Sequence, residues 1–226
     1  MDNPVIVAID GPSGTGKSST SKAVAAKLGL SYLDTGAQYR AITWWMLTNG
    51  IDVDDPVAVA DTAGKPAVVS GTDPLDPQIS VDGVDVTAPI RSQQVTAAVS
   101  AVSAVPEVRA RMVEFQRAAA ASATAGIVVE GRDIGTTVLP DATVKIFLTA
   151  SAEVRAARRS TELKGAVSLA ATQEALTRRD AADAGRKTSP LAKAADAIEV
   201  DTSDLTLDQV VDRVVALVEE KRATVR

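Results

Sequence analysis

Two residue types are missing from the 226-residue sequence, which contains no cysteine and no histidine. Without cysteine the chain has no disulfide, iron–sulfur cluster, thiolate nucleophile or zinc–thiolate site, which is typical of a protein from a reducing compartment. Without histidine it lacks a Ser-His-Asp triad and the usual general base near neutral pH. Both absences favour a cytoplasmic protein whose chemistry depends on other side chains.

The charge balance is mildly acidic, with 29 Asp and Glu against 24 Lys and Arg and a net charge of −5. This balance argues against a protein whose whole surface binds nucleic acid or anionic lipid. No run approaches the roughly 20 apolar residues of a membrane span. We therefore expect no nucleic-acid partner and no membrane association, and an anionic ligand must be bound at a local site.

Five runs rich in Val and Ile alternate with helix-like stretches along the chain. They are residues 4–10, 31–36, 126–131, 144–150 and 197–201. Several are almost continuously apolar, as expected for strands that helices cover on both faces. The pattern predicts an α/β fold with five buried parallel strands.

Glycines indicate where two of the helices end. The stretch from Lys17 to Leu28 precedes Gly29, and the stretch from Val105 to Ala125 precedes Gly126. Each glycine stands where a residue in the left-handed conformation commonly ends a helix.

The segment from Lys65 to Arg91 departs from the α/β pattern. It carries four prolines, which would disrupt a central strand, and strand-like residues around an Asp82–Gly83 turn. We interpret it as a hairpin in a lobe inserted into the main domain. The predicted division of the chain is a core of residues 1–62, 99–151 and 191–226, an inserted lobe of residues 63–98, and residues 152–190 as a lid with an adjoining Arg- and Asp-containing acceptor-binding segment.

A phosphate-binding loop follows the first predicted strand and precedes the first predicted helix. Residues 11–18, GPSGTGKS, match the pattern G-x-x-x-x-G-K-[ST], whose backbone N–H groups and helix N-terminus surround phosphates. Lys17 supplies a mobile charge, and Ser18 can bind a magnesium ion that bridges the phosphates. The predicted ATP-binding residues of this segment are Gly11, Pro12, Ser13, Gly14, Thr15, Gly16, Lys17, Ser18 and Ser19. By itself the loop predicts nucleotide binding and leaves kinase, motor and switch open.

Basic residues are concentrated between Ser151 and Pro190. Eight basic against five acidic residues give this segment +3, which leaves −8 for the rest of a chain of net charge −5. Such a segment suits a flap that closes over phosphates and spreads transition-state charge. The alternative is a solvated helix with arginines three and four residues apart. The phosphate loop favours the flap.

The lack of histidine also bears on the acceptor. An alcohol usually needs a protein group to take its proton, whereas a phosphate, with a second pKa of about 6, is largely deprotonated near pH 7. An enzyme that binds two phosphate-bearing substrates needs many arginines and few bases. The composition favours transfer by positioning and electrostatics alone.

Three further motifs make the chain resemble the bacterial cytidylate kinases over essentially its whole length. Residues 34–40 read DTGAQYR, residues 130–136 read EGRDIGT, and residues 179–186 read RDAADAGR, followed by SPL at 189–191. The resemblance implies a P-loop α/β fold with an enlarged monophosphate-binding lobe. It also implies a monomer that transfers the γ-phosphoryl group of ATP, with Mg²⁺, to CMP or dCMP without a covalent enzyme intermediate.

The resemblance also implies roles for individual residues. Arg40 and Arg132 would hold the acceptor phosphate, with Thr35 lining that pocket, while Arg179 and Arg186 reach it from the far side. The remaining implied contacts are Asp183 with sugar hydroxyls, Ser100, Arg109 and Asp133 with cytosine, and Arg155, Arg158 and Arg159 of the lid with ATP. The implied catalytic set is Lys17, Arg132, Arg155, Arg159 and Arg179.

The chemistry of cytosine supports the base contacts. Its exocyclic amine donates beside a ring acceptor, so a carboxylate facing the amine and an arginine facing the acceptor distinguish it from uracil. Asp133 and Arg109 supply that pair. Tyr39 is expected to pack in the core instead.

Two alternative functions remain. One is a kinase of the same fold that acts on another small acceptor, such as UMP or a hydroxy acid. The other is a nucleotide-dependent switch without useful transfer, although no D-x-x-G follows a predicted strand and no N-K-x-D is present.

Overall fold

The computed structural model describes residues 4–163 and 165–224. Lys164, one of the eight basic residues counted in the predicted lid, lies outside the described residues. The strands are β1 (Val5–Asp10), β2 (Ser31–Asp34), β3 (Val68–Ser70), β4 (Ile79–Val81), β5 (Val84–Asp85), β6 (Gly126–Gly131), β7 (Val144–Thr149) and β8 (Ile198–Asp201). The helices are α1 (Lys17–Leu28), α2 (Thr35–Thr48), α3 (Pro56–Thr62), α4 (Gln93–Val102), α5 (Pro106–Ser122), α6 (Ala152–Glu162), α7 (Leu169–Ala184) and α8 (Leu207–Thr224). Within these ranges no helix is both long and apolar enough to cross a membrane.

A five-stranded parallel sheet forms the core, in the order β2-β6-β1-β7-β8. Successive residues of β1 point to opposite faces, as in any strand. Val7 and Ile9 pack in the cluster that contains α1 and α8, whereas Ala8 packs in the cluster that contains α5. Helices therefore cover both faces, and the predicted α/β fold with five parallel strands is confirmed.

The order of the strands places the site. The chain leaves β1, at the centre of the sheet, and continues into the phosphate loop, while β2 and β6 end at the same edge. In open parallel sheets, ligands bind at the carboxyl ends of the strands, beside the point where the strand order reverses. The segments that carry the sequence motifs follow these strand ends.

A second, antiparallel sheet of β3, β4 and β5 lies between α3 and α4. Asp82 and Gly83 both have positive φ, 52° and 79°, as a tight hairpin turn requires. The Asp82 carboxylate accepts hydrogen bonds of 2.8 Å from the Ala67 backbone N–H and from Trp45 Nε1. The predicted hairpin is therefore present, and α2 holds its turn.

Two predicted boundaries are wrong. The second strand ends at Asp34, because the Asp34 carboxylate accepts a 2.9 Å hydrogen bond from the Ala37 N–H and begins α2. Helix α5 ends at Ser122, and Gly126 is the first residue of β6 rather than a helix terminator. A Cβ at Gly126, where φ is +109°, would lie 2.3 Å from the Val5 carbonyl oxygen. The glycine permits the close approach of β6 to β1.

We expect Gly126→Ala to destabilise the protein more than Gly29→Ala. Gly29 ends α1 with φ +64° and open space around its Cα, so alanine there costs about 1–2 kcal/mol of conformational strain. Alanine at Gly126 adds a collision with the backbone of a central strand. Urea unfolding of both variants measures the difference. Equal losses would show that β1 and β6 adjust without cost.

Candidate active site

A cavity of about 520 Å³ opens at the carboxyl ends of β1, β2 and β6. The phosphate loop forms one wall, and α7 and the segment after β6 form another. The sequence-predicted residues that line it are Ser13, Gly14, Gly16, Lys17, Ser18, Ser19, Thr35, Arg40, Arg109, Arg132, Asp133, Arg159, Arg179, Asp183 and Arg186. The predicted residues outside its lining are Gly11, Pro12, Thr15, Ser100, Arg155 and Arg158. The structure thus brings the phosphate loop and most of the predicted acceptor residues to one space.

Two side chains of the phosphate loop form hydrogen bonds within the protein. Lys17 Nζ donates a 2.7 Å hydrogen bond to the carbonyl oxygen of Pro12, and Ser18 Oγ donates a 3.0 Å hydrogen bond to Glu130 Oε2. Burial, together with the nearby charge of Arg132, holds the pKa of Lys17 well below its usual value. A bound phosphate would place negative charge beside the Lys17 ammonium and so stabilise its charged form.

Two buried carboxyl groups that the sequence does not single out lie at the site, Glu130 in the cavity lining and Asp10 outside it. Glu130 accepts hydrogen bonds from Ser18 and from the Tyr32 hydroxyl, and burial with the nearby Asp34 charge raises its pKa to about 7. Asp10 accepts hydrogen bonds from two backbone N–H groups after β6, and burial raises its pKa to about 6. The one signal in the sequence that could have identified them is their position at or near the ends of predicted strands. Burial therefore raises the pKa of both carboxyl groups above their usual values.

The donors beside the phosphate loop fit a magnesium ion. Mg²⁺ prefers oxygen ligands and keeps several waters when it binds with substrate phosphates. Ser18 Oγ and the Glu130 carboxylate lie 3.0 Å apart beside Lys17, so a hydroxyl and a carboxylate face the position of the phosphates.

Arginines line the cavity away from the phosphate loop. Arg40 Nη1 donates to the Ile90 carbonyl at 3.2 Å and to Thr96 Oγ1 at 2.9 Å, and these contacts orient its side chain. Burial, then the charge of Arg159, lowers the pKa of Arg40 to about 10, and burial, then Arg132, lowers the pKa of Arg179 to about 9. These guanidinium groups remain charged near pH 7 and repel one another, so an anion bound among them is stabilised.

Within the lining of the cavity, Arg109 and Asp133 form a buried ion pair. Arg109 also donates to the Ser103 carbonyl at 3.2 Å, and its guanidinium lies 5.4 Å from the centre of the Tyr39 ring. Tyr39 packs in the core as predicted and also lines the cavity. Planar donors, an acceptor and an aromatic wall are what recognition of a small heterocyclic base requires.

Ser103 lines the cavity beside this ion pair, whereas Ser100 does not line the cavity. The sequence analysis did not identify Ser103 as a site residue. Its hydroxyl accepts a 3.0 Å hydrogen bond from Arg186 Nη2 and donates to the Ser100 carbonyl at 3.2 Å. Ser100 therefore contacts the site through Ser103 in this structure. Helical spacing alone does not show which of the two serines faces the cavity.

The three arginines of the predicted lid, Arg155, Arg158 and Arg159, contact three different partners. Arg159 lines the cavity and is paired with Glu162 at 2.7 Å. Arg158 donates to the side chain and carbonyl of Thr202 at 2.8 and 2.6 Å. Arg155 is paired with Asp180 and fastens α6 to the phosphate loop.

Comparison with known proteins shows a relationship over nearly the whole chain. A family model described as Cytidylate kinase matches residues 7–220. The cytidylate kinases of Streptomyces avermitilis and Streptomyces coelicolor are 76% and 78% identical to it over 219 residues, which cover 97% of this chain and 94% of each relative. A solved structure of an uncharacterized protein from Eubacterium ventriosum covers 96% of this chain and 98% of its own. Its TM-score of 0.52 at 14% identity shows the fold alone.

We expect Asp10→Asn to flatten the pH dependence of stability. The folded-state pKa of Asp10, about 6, lies above the value of about 4 for an unfolded chain. Between these values the folded protein binds more protons than the unfolded one, so this group's contribution to stability falls as pH rises through the window. Asp10→Asn has no titrating carboxyl group at this position, so its stability lacks this pH-dependent contribution.

Urea unfolding without nucleotide, at about pH 4.5 and about pH 7, measures this effect. The stability difference between wild type and Asp10→Asn should shrink at the higher pH. Asp61→Asn, at an exposed helix position, controls for the loss of one charge. A difference that stays constant between the two pH values would contradict the prediction.

Proposed function

The chain belongs to the cytidylate kinase family, and we propose that it transfers the γ-phosphoryl group of Mg²⁺-ATP to CMP or dCMP, giving ADP and CDP or dCDP. The observation that carries this proposal is one cavity lined by two different kinds of group. Lys17 of the phosphate loop is one, and the buried Arg109–Asp133 pair is the other. Further arginines line the same cavity.

At the donor end, the phosphate loop binds the triphosphate. Lys17 leaves the Pro12 carbonyl for the β- and γ-phosphates, and Arg159 of the lid reaches the same phosphates. Ser18, supported by Glu130, would hold Mg²⁺, which would neutralise charge on the phosphates. The Ser18 oxygen could bind the ion through a lone pair while its O–H continues to donate to Glu130.

At the acceptor end, Arg40, Arg132 and Arg179 bind the monophosphate, and Thr35 lines that pocket. Asp183 holds the sugar, and Arg186 holds Asp183 in place. Arg109 and Asp133 bind the two polar groups on the edge of cytosine, supported by Ser103. The arginines bring two polyanions together and stabilise the charge of the transferred phosphoryl group.

Residues 63–98 contribute Ile90 and Arg91 to the cavity lining, and residues 152–190 contribute Arg159, Arg179, Asp183 and Arg186. We propose that residues 63–98 form the acceptor-binding lobe and residues 152–190 the lid. Their closure excludes water, which would otherwise compete with the acceptor. We also propose a monomer that acts on free nucleotides in the cytoplasm, as the resemblance to the family and the lack of cysteine imply.

The first experiment measures ADP formation from Mg²⁺-ATP with single acceptors. CMP, dCMP, UMP, AMP, GMP, dTMP and shikimate are offered separately, beside a tube without acceptor. Rates largely confined to CMP and dCMP support the proposal. A dominant rate with UMP or shikimate would indicate the other kinase, and equal slow rates everywhere would indicate a switch or simple ATPase.

We expect Lys17→Ala to lower kcat with CMP by about 100-fold or more, because the variant loses a charge directed at the transferred group. The fold should be retained, since the polar contact of Lys17 is a single bond within its own loop. Steady-state kinetics and urea unfolding check the two parts. Unchanged turnover would remove Lys17 from the site.

Asp133→Asn should lower the ratio of kcat/KM for CMP to that for UMP by about tenfold or more. The amide presents a donor where the carboxylate accepts from the cytosine amine, and it weakens the hold on Arg109. Paired assays with CMP and UMP give the ratio. If both values fall equally, Asp133 acts on stability or on Arg109 without reading the base.

A further inference from the structure

Asp180 is a carboxylate beside the cavity that does not line it. Its Oδ1 accepts a 3.0 Å hydrogen bond from the backbone N–H of Ser13, and its Oδ2 is paired with Arg155 Nη1. The same nitrogen of Arg155 donates to the Ser13 carbonyl at 3.1 Å. The paired side chains are only 17% and 13% exposed, so solvent screens the pair weakly. Residues of the phosphate loop, α6 and α7 thus form a closed set of contacts.

The hydroxyl of Ser13 is bound as well. It accepts a 2.6 Å hydrogen bond from Arg132 Nη2, and Arg132 Nε donates to Asp183 at 2.9 Å. The N–H, carbonyl and hydroxyl of Ser13 are therefore each held by a side chain from outside the phosphate loop. We call these contacts of Ser13 with Arg132, Arg155 and Asp180 the Ser13 clamp.

Helix α7 connects the clamp to the acceptor end of the cavity. Arg179 and Asp183 line the cavity, whereas Asp180, between them in sequence, contacts the phosphate loop. Since a helix moves as a stiff unit, a shift of Arg179 and Asp183 towards a bound acceptor also moves Asp180. The shift reaches Ser13 both through Asp180 and through the Arg132–Asp183 pair.

We propose that Asp180 is a positioning residue that couples the two substrate sites. It holds the phosphate loop in register with α7 through the Ser13 clamp, so that a bound nucleoside monophosphate strengthens binding of the triphosphate. The proposal rests on the proposed kinase function. In this scheme Arg155, which sequence resemblance assigns to ATP, acts through Asp180 and Ser13 without touching the triphosphate.

The test compares Asp180→Asn with the wild type. Asparagine keeps an oxygen that can accept from the Ser13 N–H, but it cannot form the ion pair with Arg155. Glu174→Gln is the matched control, because Glu174 is on the same helix and is paired at 3.0 Å with Arg178 in an exposed position. Calorimetry measures the affinity of each protein for a non-hydrolysable ATP analogue with Mg²⁺, with and without saturating CMP.

We expect CMP to raise the affinity for the analogue about fivefold or more in the wild type and in Glu174→Gln. In Asp180→Asn, CMP should change the affinity for the analogue by less than about twofold. The proposal is overturned if Asp180→Asn keeps the wild-type factor, or if the wild type shows no such factor. A residue that only stabilises the fold would change the unfolding curve and leave the factor intact.

A double-mutant cycle with Arg155→Met tests the role of Arg155. If Arg155 acts through the clamp, the double variant loses no more kcat/KM for ATP than Arg155→Met alone, within about twofold, because Arg155→Met already removes both contacts of Arg155. A much larger loss of kcat in Arg155→Met, additive in the double variant, would place Arg155 on the triphosphate and overturn the clamp. Should Asp180→Asn fail to fold, Arg155→Met supplies the coupling measurement.

The two proposals fail in different ways. A wild type that binds the ATP analogue but does not phosphorylate CMP overturns the proposed function. A wild type that phosphorylates CMP while Asp180→Asn keeps full coupling overturns the clamp alone.

Discussion

Buried arginines organise the cavity, and Arg109, Arg132 and Arg186 each have a carboxylate partner there. Arg109 is paired with Asp133, and Asp183 bridges Arg132 and Arg186. Removing one partner of such a buried pair costs several kcal/mol, because the other charge is left uncompensated. Phosphate oxygens match the planar donors of arginine as well as a carboxylate does. Substrate binding can therefore proceed by exchange of partners rather than by burial of new unpaired charge.

The parallel sheet places negative charge where these exchanges occur. Asp10, Asp34 and Glu130 lie at or next to the ends of three strands and face the segments that follow. Asp34 begins α2, Asp10 holds two backbone N–H groups after β6, and Glu130 holds Ser18. Asp10 and Asp34 thus hold the local backbone, Glu130 holds the Ser18 side chain, and the segments beyond these strand ends carry the positive charge of the cavity.

The sequence predicts those features that residues adjacent in the chain specify. The five strands and the phosphate loop are of this kind, because apolar runs and a contiguous motif specify them. Contacts between distant segments are different. Gly126 looked like a helix terminator, since the approach of Val5 is visible only once the strands pair. Arg155 and Arg159 share one face of a helix, and only the packing of α6 against the phosphate loop separates their partners.

The cavity is a single space of about 520 Å³ that runs from Lys17 to the Arg109–Asp133 pair. One molecule carrying a nucleoside at each end of a phosphate chain would therefore fill both halves at once. The second half would then bind at the effective concentration set by the linker, which raises affinity without any new contact. The number of linking phosphates that gives the highest affinity would measure the separation of the two proposed sites. Such bisubstrate compounds are the natural inhibitors to design against this enzyme.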